Sequence, residues 1–433
     1  MMRFNRGISF VILALIFLTV TAVRPAAAMV YLDITSADLI QMPVAVPAFI
    51  NKKAPDKITD KGRRMADLAG RALALHGFIS IVPAESYAEG RSVNWQKAGA
   101  DFVMLGSYNR DKSGMVLEIR FVDLSNKRMI VGKRYHTSWS KGSLLIRKFC
   151  DEVIYKLSGR RGISNTEIAF VSDSSGYKEV YVADILSGRA RQITRHHNIT
   201  VSPRFTPDGR QLVYTSYHRG NPDLYITNLA QNKFTRALSW RKGLNLAPSW
   251  APDGKTMLIT LSKDGNPDIY LLTAGGRIIR RITRNDGINV SPSWAPDGRH
   301  FAFVSDRSGT PQIYTMDIKT GITTRITYQG AENTTPAWSP SGTEIAFTGR
   351  VNNTHQIYII NARGGQAEQL TKYWGDYESP SWSPDSRQLV FSRQRGGRKE
   401  LCRIFIKGHK VIPMFKNLKG NQTFPQWSPR LPY

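Results

Sequence analysis

Six copies of one short phrase constrain this chain more than any other feature. The phrase begins as Ser202-Pro203-Arg204-Phe205-Thr206-Pro207-Asp208-Gly209 and recurs at 247–254, 291–298, 335–342 and 379–386, with a shortened copy at 424–429. Its leading prolines stand at 203, 248, 292, 336, 380 and 425, a spacing of 44 or 45 residues. A fixed period of that length marks a repeated supersecondary unit, as in solenoids, propellers and arrays.

Each period has one internal grammar. The Pro-Asp-Gly turn leads into an apolar run such as His300-Phe301-Ala302-Phe303-Val304-Ser305, read as an alternating strand. A polar turn, a second run holding Ile313-Tyr314 and a third ending Arg325-Ile326-Thr327 follow. With the Pro-x-Trp stretch this gives four strands per period, the content of a propeller blade. Residues 168–194 supply three strands with no Pro-x-Trp phrase before them, and the C-terminus supplies that phrase with no strands after it. The two fragments complete one blade. The expected architecture is a six-bladed β-propeller closed by N- and C-terminal strands, since closure removes exposed sheet edges.

Repetition separates scaffold from site. The aromatics Phe205, Trp250, Trp294, Trp338, Trp382 and Trp427 hold one structural position and are assigned to packing between blades. A single carboxylate per turn, missing from the fourth copy, is turn chemistry and not a calcium site. If the Pro-x-Trp strand is innermost, the residues before each proline line the channel. These are Thr200, Val201 and Ser202; Leu244, Asn245, Leu246 and Ala247; Asn289, Val290 and Ser291; Asn333, Thr334 and Thr335; Tyr377 and Glu378 with Ser379; and Gln422 to Phe424. That ring reads as small, polar and almost uncharged, suited to hydrogen bonding with a peptide or loop.

Upstream, Met1 to Ala28 has a basic start, an apolar run over 8–23 and Ala26-Ala27-Ala28, the plan of a cleaved secretory signal. The run is shorter than the roughly 20 residues a spanning helix needs. Residues 29–162 mix strands (43–49, 78–82, 102–108 and a hairpin over 115–136) with helices over 59–76 and 144–157, a small α/β domain. The propeller is assigned to 163–433. The formal net charge is +27, and basic clusters at 277–284 and 393–399 are placed on the outer rim. Two cysteines, Cys150 and Cys402, have no metal or redox spacing. No Gly-x-Ser-x-Gly elbow, His-Glu-x-x-His or P-loop occurs, so no catalytic, cofactor or metal residues are nominated.

These features together resemble the TolB family, the periplasmic component of the Tol-Pal system. The likeness is carried by Ile34-Thr35, the 43–49 stretch, Trp95-Gln96-Lys97-Ala98-Gly99-Ala100-Asp101, 151–159, the six phrases and the closing Phe424-Pro425-Gln426-Trp427-Ser428-Pro429. Two departures stand out: Pro47 arrives one residue early, and the chain is far more basic than the family leads one to expect. The resemblance implies a non-enzymatic adaptor. Its channel mouth, around Leu244 to Ala247 and Val290-Ser291, would receive the lipoprotein Pal. The mature N-terminal segment, Met29, Val30, Tyr31, Leu32, Asp33, Ile34 and Thr35, would engage inner-membrane TolA. The system would maintain the outer membrane and its constriction at division. The residues leave two other classes open: an exported propeller enzyme, peptidase- or polysaccharide-lyase-like, and a propeller binding glycan or lipopolysaccharide through its basic rim.

Overall fold

Pro-x-Trp strands form the inner wall of a six-bladed propeller. The computed structural model describes residues 41–86, 94–111, 114–230, 235–284 and 287–433. The expected leader and the Met29 to Thr35 segment lie outside the described residues. Blades II to VI each take their four strands from one period, and their inner strands are Thr200–Phe205, Asn245–Trp250, Asn289–Trp294, Glu332–Trp338 and Asp376–Trp382. Blade I is composite. Its inner strand, Gln422–Trp427, pairs antiparallel with Glu167–Ser172, and Glu179–Asp184 and Ala190–Gln192 lie outside that pair.

The second strand of each blade departs from the expected alternation. In Gln211–Ser216 and His300–Ser305 every residue but the first is buried. Each blade is sandwiched between two others, so both faces of its sheet are covered and the strand reads as a continuous apolar run. Trp294 packs with Leu258 and Ile269 of the preceding blade, and Trp427 with Val390 and Leu401, which is the assigned role of the aromatics. The aspartates are consumed inside their own turns. Asp208 accepts from Arg210 N–H at 3.0 Å and Asp253 from Lys255 N–H at 2.9 Å, while Gly209 and Gly254 take φ near +70°.

The N-terminal domain is a mixed sheet with two helices. Its strands are β1 (Met42–Ala45), β2 (Ile50–Asn51), β3 (Ile79–Ile81), β4 (Phe102–Asp111), β5 (Gly114–Asp123) and β6 (Arg128–Thr137), ordered β3-β1-β4-β5-β6 with β2 beside β4. Helix α1 (Asp60–Ala74) starts at Thr59, whose Oγ1 accepts from Gly62 N–H at 3.0 Å. Helix α2 (Gly142–Ser158) stops at Gly159 with φ +68°. The strand expected over 43–49 is only β1. Pro47 offers no ladder donor, and Phe49 instead donates its N–H to Gly62 O at 3.1 Å.

This domain seats on the propeller's lower face, where the Pro-Asp-Gly turns lie. Leu75 O, just past α1, accepts from Gln388 Nε2 and Arg403 Nη1 at 3.0 and 3.1 Å. Arg147 of α2 grips Asp184 of blade I through two bonds of 2.6 and 3.0 Å. Burial pushes the Asp184 carboxyl up, but Arg147 and the Ser187 N–H outweigh it and hold it below its ordinary value. His76 is buried, contacting Ala72 O through Nδ1 at 3.1 Å and accepting from Ile163 N–H at Nε2. Burial, opposed by Asp151 and Asp385, leaves its pKa lowered. Cys150 and Cys402 are both buried and free. Among the described residues no helix is long and apolar enough to cross a membrane.

Candidate functional site: the propeller channel

The inner strands bend at the proline. In blade II the ladder pairs Val201 with Thr215 and then jumps to Arg204 with Val213. The same shift falls between Leu246 and Ser249, Val290 and Ser293, Thr334 and Ala337, Glu378 and Ser381, and Thr423 and Gln426. Such a bulge re-aims side chains. Its pre-proline residue carries the deformation: Ser202, Ser291, Thr335, Ser379 and Phe424 have φ between +48° and +58°, a region uncommon for non-glycine residues.

The expected channel residues therefore divide by position. Ser202, Ser291 and Thr335, together with Ser379 and Phe424, line the channel. Val201, Leu246, Val290, Thr334 and Glu378, one residue earlier, are half-buried, as is Leu244 in the loop before its strand. Thr200, Asn245, Asn289, Asn333 and Tyr377, one earlier again, are buried and do not face the channel. Asn245 donates to Arg241 O at 2.8 Å, and Asn333 to Gln329 O at 2.8 Å, so these side chains tie down the incoming loop. A strand's two-residue side-chain period, broken by the bulge, explains the misplacement. Ala247 belongs to its inner strand by backbone.

What sequence reasoning missed is the ring after the proline: Arg204, Ser249, Ser293, Ala337, Ser381 and Gln426, all lining a cavity of about 520 Å³. The signal was present, because Arg204 is the charged exception among six equivalent positions. Among the described residues no Asp, Glu, Lys or His lines the cavity, and the two charged residues that do are Arg204 and Arg430. The channel is thus cationic, not nearly neutral. Arg204 donates from Nη1 to its neighbour Pro203 O at 2.9 Å, and burial pulls its pKa down to about 10. Arg430, at the lower end, donates to Gly162 O and Arg161 O, each at 2.9 Å.

Around the upper mouth, the loops between blades expose aromatic side chains. Trp240, Tyr328 and Trp374 are 66%, 71% and 68% exposed, and Tyr373, Ile199 and Ile288 stand on the same face. Blades V and VI raise a wall there. Their central hairpin strands, Glu344–Val351 with Thr354–Asn361 and Gln388–Arg395 with Arg398–Phe405, have 8 residues each where Gln211–Ser216 has 6. The cluster at 393–399 is therefore on this wall and not the outer rim, with Arg395 over the Trp374 ring at 5.2 Å. The cluster at 277–284 does contribute to an outer strand, Ile278–Arg281. Across the mouth, His196 and His218 lie 4.4 Å apart between ring centroids, and burial, then His218, lowers His196 to about 4. Among the described residues no group of three metal-ligating side chains forms.

Comparison with known proteins follows the same division. The TolB beta propeller domain profile matches residues 154–431, and the TolB amino-terminal domain profile matches 30–130. A Tol-Pal system protein TolB of Desulfotalea psychrophila is 46% identical over 220 residues, 51% of this chain and 50% of that one. That of Desulfosudis oleivorans is 35% identical over 59% of this chain and 60% of its own. The chain thus spans about half the length of the curated relatives it matches. The crystal structure of TolB from Acinetobacter baumannii superposes with a TM-score of 0.78 at 25% identity, covering 90% of this chain and 97% of the other.

Proposed function

The chain belongs to the TolB family, and from that premise we propose that it is a non-enzymatic periplasmic scaffold of the Tol-Pal system. In this reading the leader 1–28 is removed on export. Pal docks at the upper mouth, and the mature segment Met29 to Thr35 engages inner-membrane TolA. The two contacts together support outer-membrane integrity and constriction at division. Pal contact falls on the half-buried and channel-lining positions Val201, Ser202, Leu244, Leu246, Val290, Ser291, Thr334, Thr335 and Glu378, and on Ala247 of the same inner strand. The buried residues Thr200, Asn245, Asn289, Asn333 and Tyr377 shape that surface from behind.

The observation that carries this reading is the upper face itself. Exposed aromatics gathered around an opening mark a protein-binding surface, because Tyr and Trp anchor interfaces. A channel wall without carboxylate or histidine supports a scaffold over an acid/base enzyme. The test is titration with purified Pal from the same organism. The full chain is expected to bind, and Trp374→Ala to weaken binding by about tenfold or more, the loss typical of an interface anchor. Absence of binding, even after deletion of the N-terminal segment, overturns the reading.

A further inference from the structure

The ring one residue past each proline sets Arg204 among uncharged members of the channel wall. Four of its members already have an acceptor engaged by the next blade. Ser249 Oγ accepts from Trp294 N–H at 3.0 Å and Ser293 Oγ from Trp338 N–H at 2.9 Å. Ser381 Oγ accepts from Trp427 N–H at 3.0 Å, and Gln426 Oε1 from Phe205 N–H at 2.8 Å. Each keeps its donors free for the channel, three hydroxyl hydrogens and one amide NH₂, while one of its two acceptor positions is taken. Arg204 completes the ring with five N–H donors, of which one bond, to Pro203 O, is made within the protein. The sixth member, Ala337, is silent.

We infer that this ring is a carboxylate seat, in which Arg204 grips an acidic side chain or chain terminus carried on a partner segment inserted through the mouth. The inference rests on the reading that a partner docks at that mouth. It adds a specificity residue and a ligand chemistry.

Three considerations support it. Arg204 is half-buried, and a guanidinium drawn part-way out of water without an acid is costly to a folded protein, a cost an incoming anion relieves. The wall holds no acid to compete, since Arg204 and Arg430 are its charged residues. The planar fork of arginine matches a carboxylate in a bidentate pair, and a single guanidinium balances a single negative charge. Depth then selects the carrier. The ring lies three residues past Val201 along the inner strand, but the bulge leaves two ladder steps between them, from Thr215 to Val213, about 7 Å at the rise of a β-strand. An acidic residue on a flat partner surface does not reach it, whereas an extended segment does.

The test uses the whole chain and small probes, with tryptophan fluorescence as readout because Trp250, Trp294, Trp338, Trp382 and Trp427 line the cavity. The probes are N-acetylated, C-amidated Gly-Glu-Gly, its Gly-Gln-Gly analogue, and sodium phosphate at matched ionic strength. The glutamate peptide is expected to saturate at about tenfold lower concentration than the glutamine one, as a charge-assisted bond predicts. Arg204→Gln should abolish that difference without lowering Tm, since it removes a half-buried charge with no acid beside it; a merely structural arginine would lower Tm on removal. If Arg204→Gln fails to fold, Arg204→Lys decides, because it keeps the charge and loses the fork. Reduced discrimination supports the seat and unchanged discrimination overturns it. Equal binding of both peptides, or no saturation by roughly 50 mM, weaker than such bonds allow, also overturns it. Saturation by phosphate alone would reassign the ring to a free anion and remove the inserted segment. None of these outcomes requires Pal, so failure of the Pal titration and failure of the seat are separable.

Discussion

The propeller's two faces are built from the same six repeats and treat polar groups in opposite ways. On the lower face charges and carbonyls are paired: Arg147 with Asp184, Leu75 O with Gln388 and Arg403, His76 with Ile163. The N-terminal domain is the partner that satisfies them. On the upper face the aromatic rim is exposed, and inside the channel Arg204 has no acid beside it. The difference shows that repetition supplies two platforms, and that loop residues decide which is covered within the chain and which stays exposed.

The contrast can be broken from below with Arg147→Ala. The pair is mostly buried, with side-chain exposures of 13% and 23%, so stranding the Asp184 carboxylate should cost about 3 kcal/mol in denaturant unfolding. A loss under about 0.5 kcal/mol, the value of a surface pair, would mean the lower face is not held as described. A smaller effect follows from acidification. The folded pKa of His76 lies below its ordinary 6.5. The unfolded chain therefore binds the proton first, and stability, complete above pH 6.5, falls as the pH drops through and below that value. Thermal melts from pH 7.5 to 5 should show the decline, and His76→Gln, which keeps an acceptor for Ile163, should flatten it. His196, lowered to about 4, has the same sign and leaves a residual slope. A variant melting with an unaltered pH profile would remove His76 from the account. Smallest of all is the stability effect expected for Trp374→Ala, within about 0.5 kcal/mol as for most exposed positions. A larger loss would show that the upper rim serves the fold instead of a partner.

The period, the four-strand grammar and the orphan phrase made the propeller and its closure legible in the sequence, because each is a statement about spacing. The channel lining was legible only in part. Its parity depends on a bulge at Ser202 and its equivalents, and a left-handed φ at a serine or threonine ahead of proline leaves no mark on composition. The ring after the proline was therefore passed over, although Arg204 among Ser249, Ser293, Ala337, Ser381 and Gln426 was visible as an exception. The 393–399 cluster was misplaced for a similar reason. Its two strands run two residues longer than Gln211–Ser216 and lift the basic tip above the face. The N-terminal helices were found by apolar periodicity and caps, but their docking depends on single bonds, such as Arg403 to Leu75 O, between residues far apart in the chain.

Closure of blade I also sets an order of events. Its outer three strands are made by residue 192, yet the strand that completes it is 422–427. During synthesis the first blade to appear waits, edge open, for nearly the whole remaining chain, and pairing across such a separation is slow. Until that last strand arrives no ring exists, and hence neither mouth nor channel. A chain lacking that strand would carry five finished blades and one blade with an open edge.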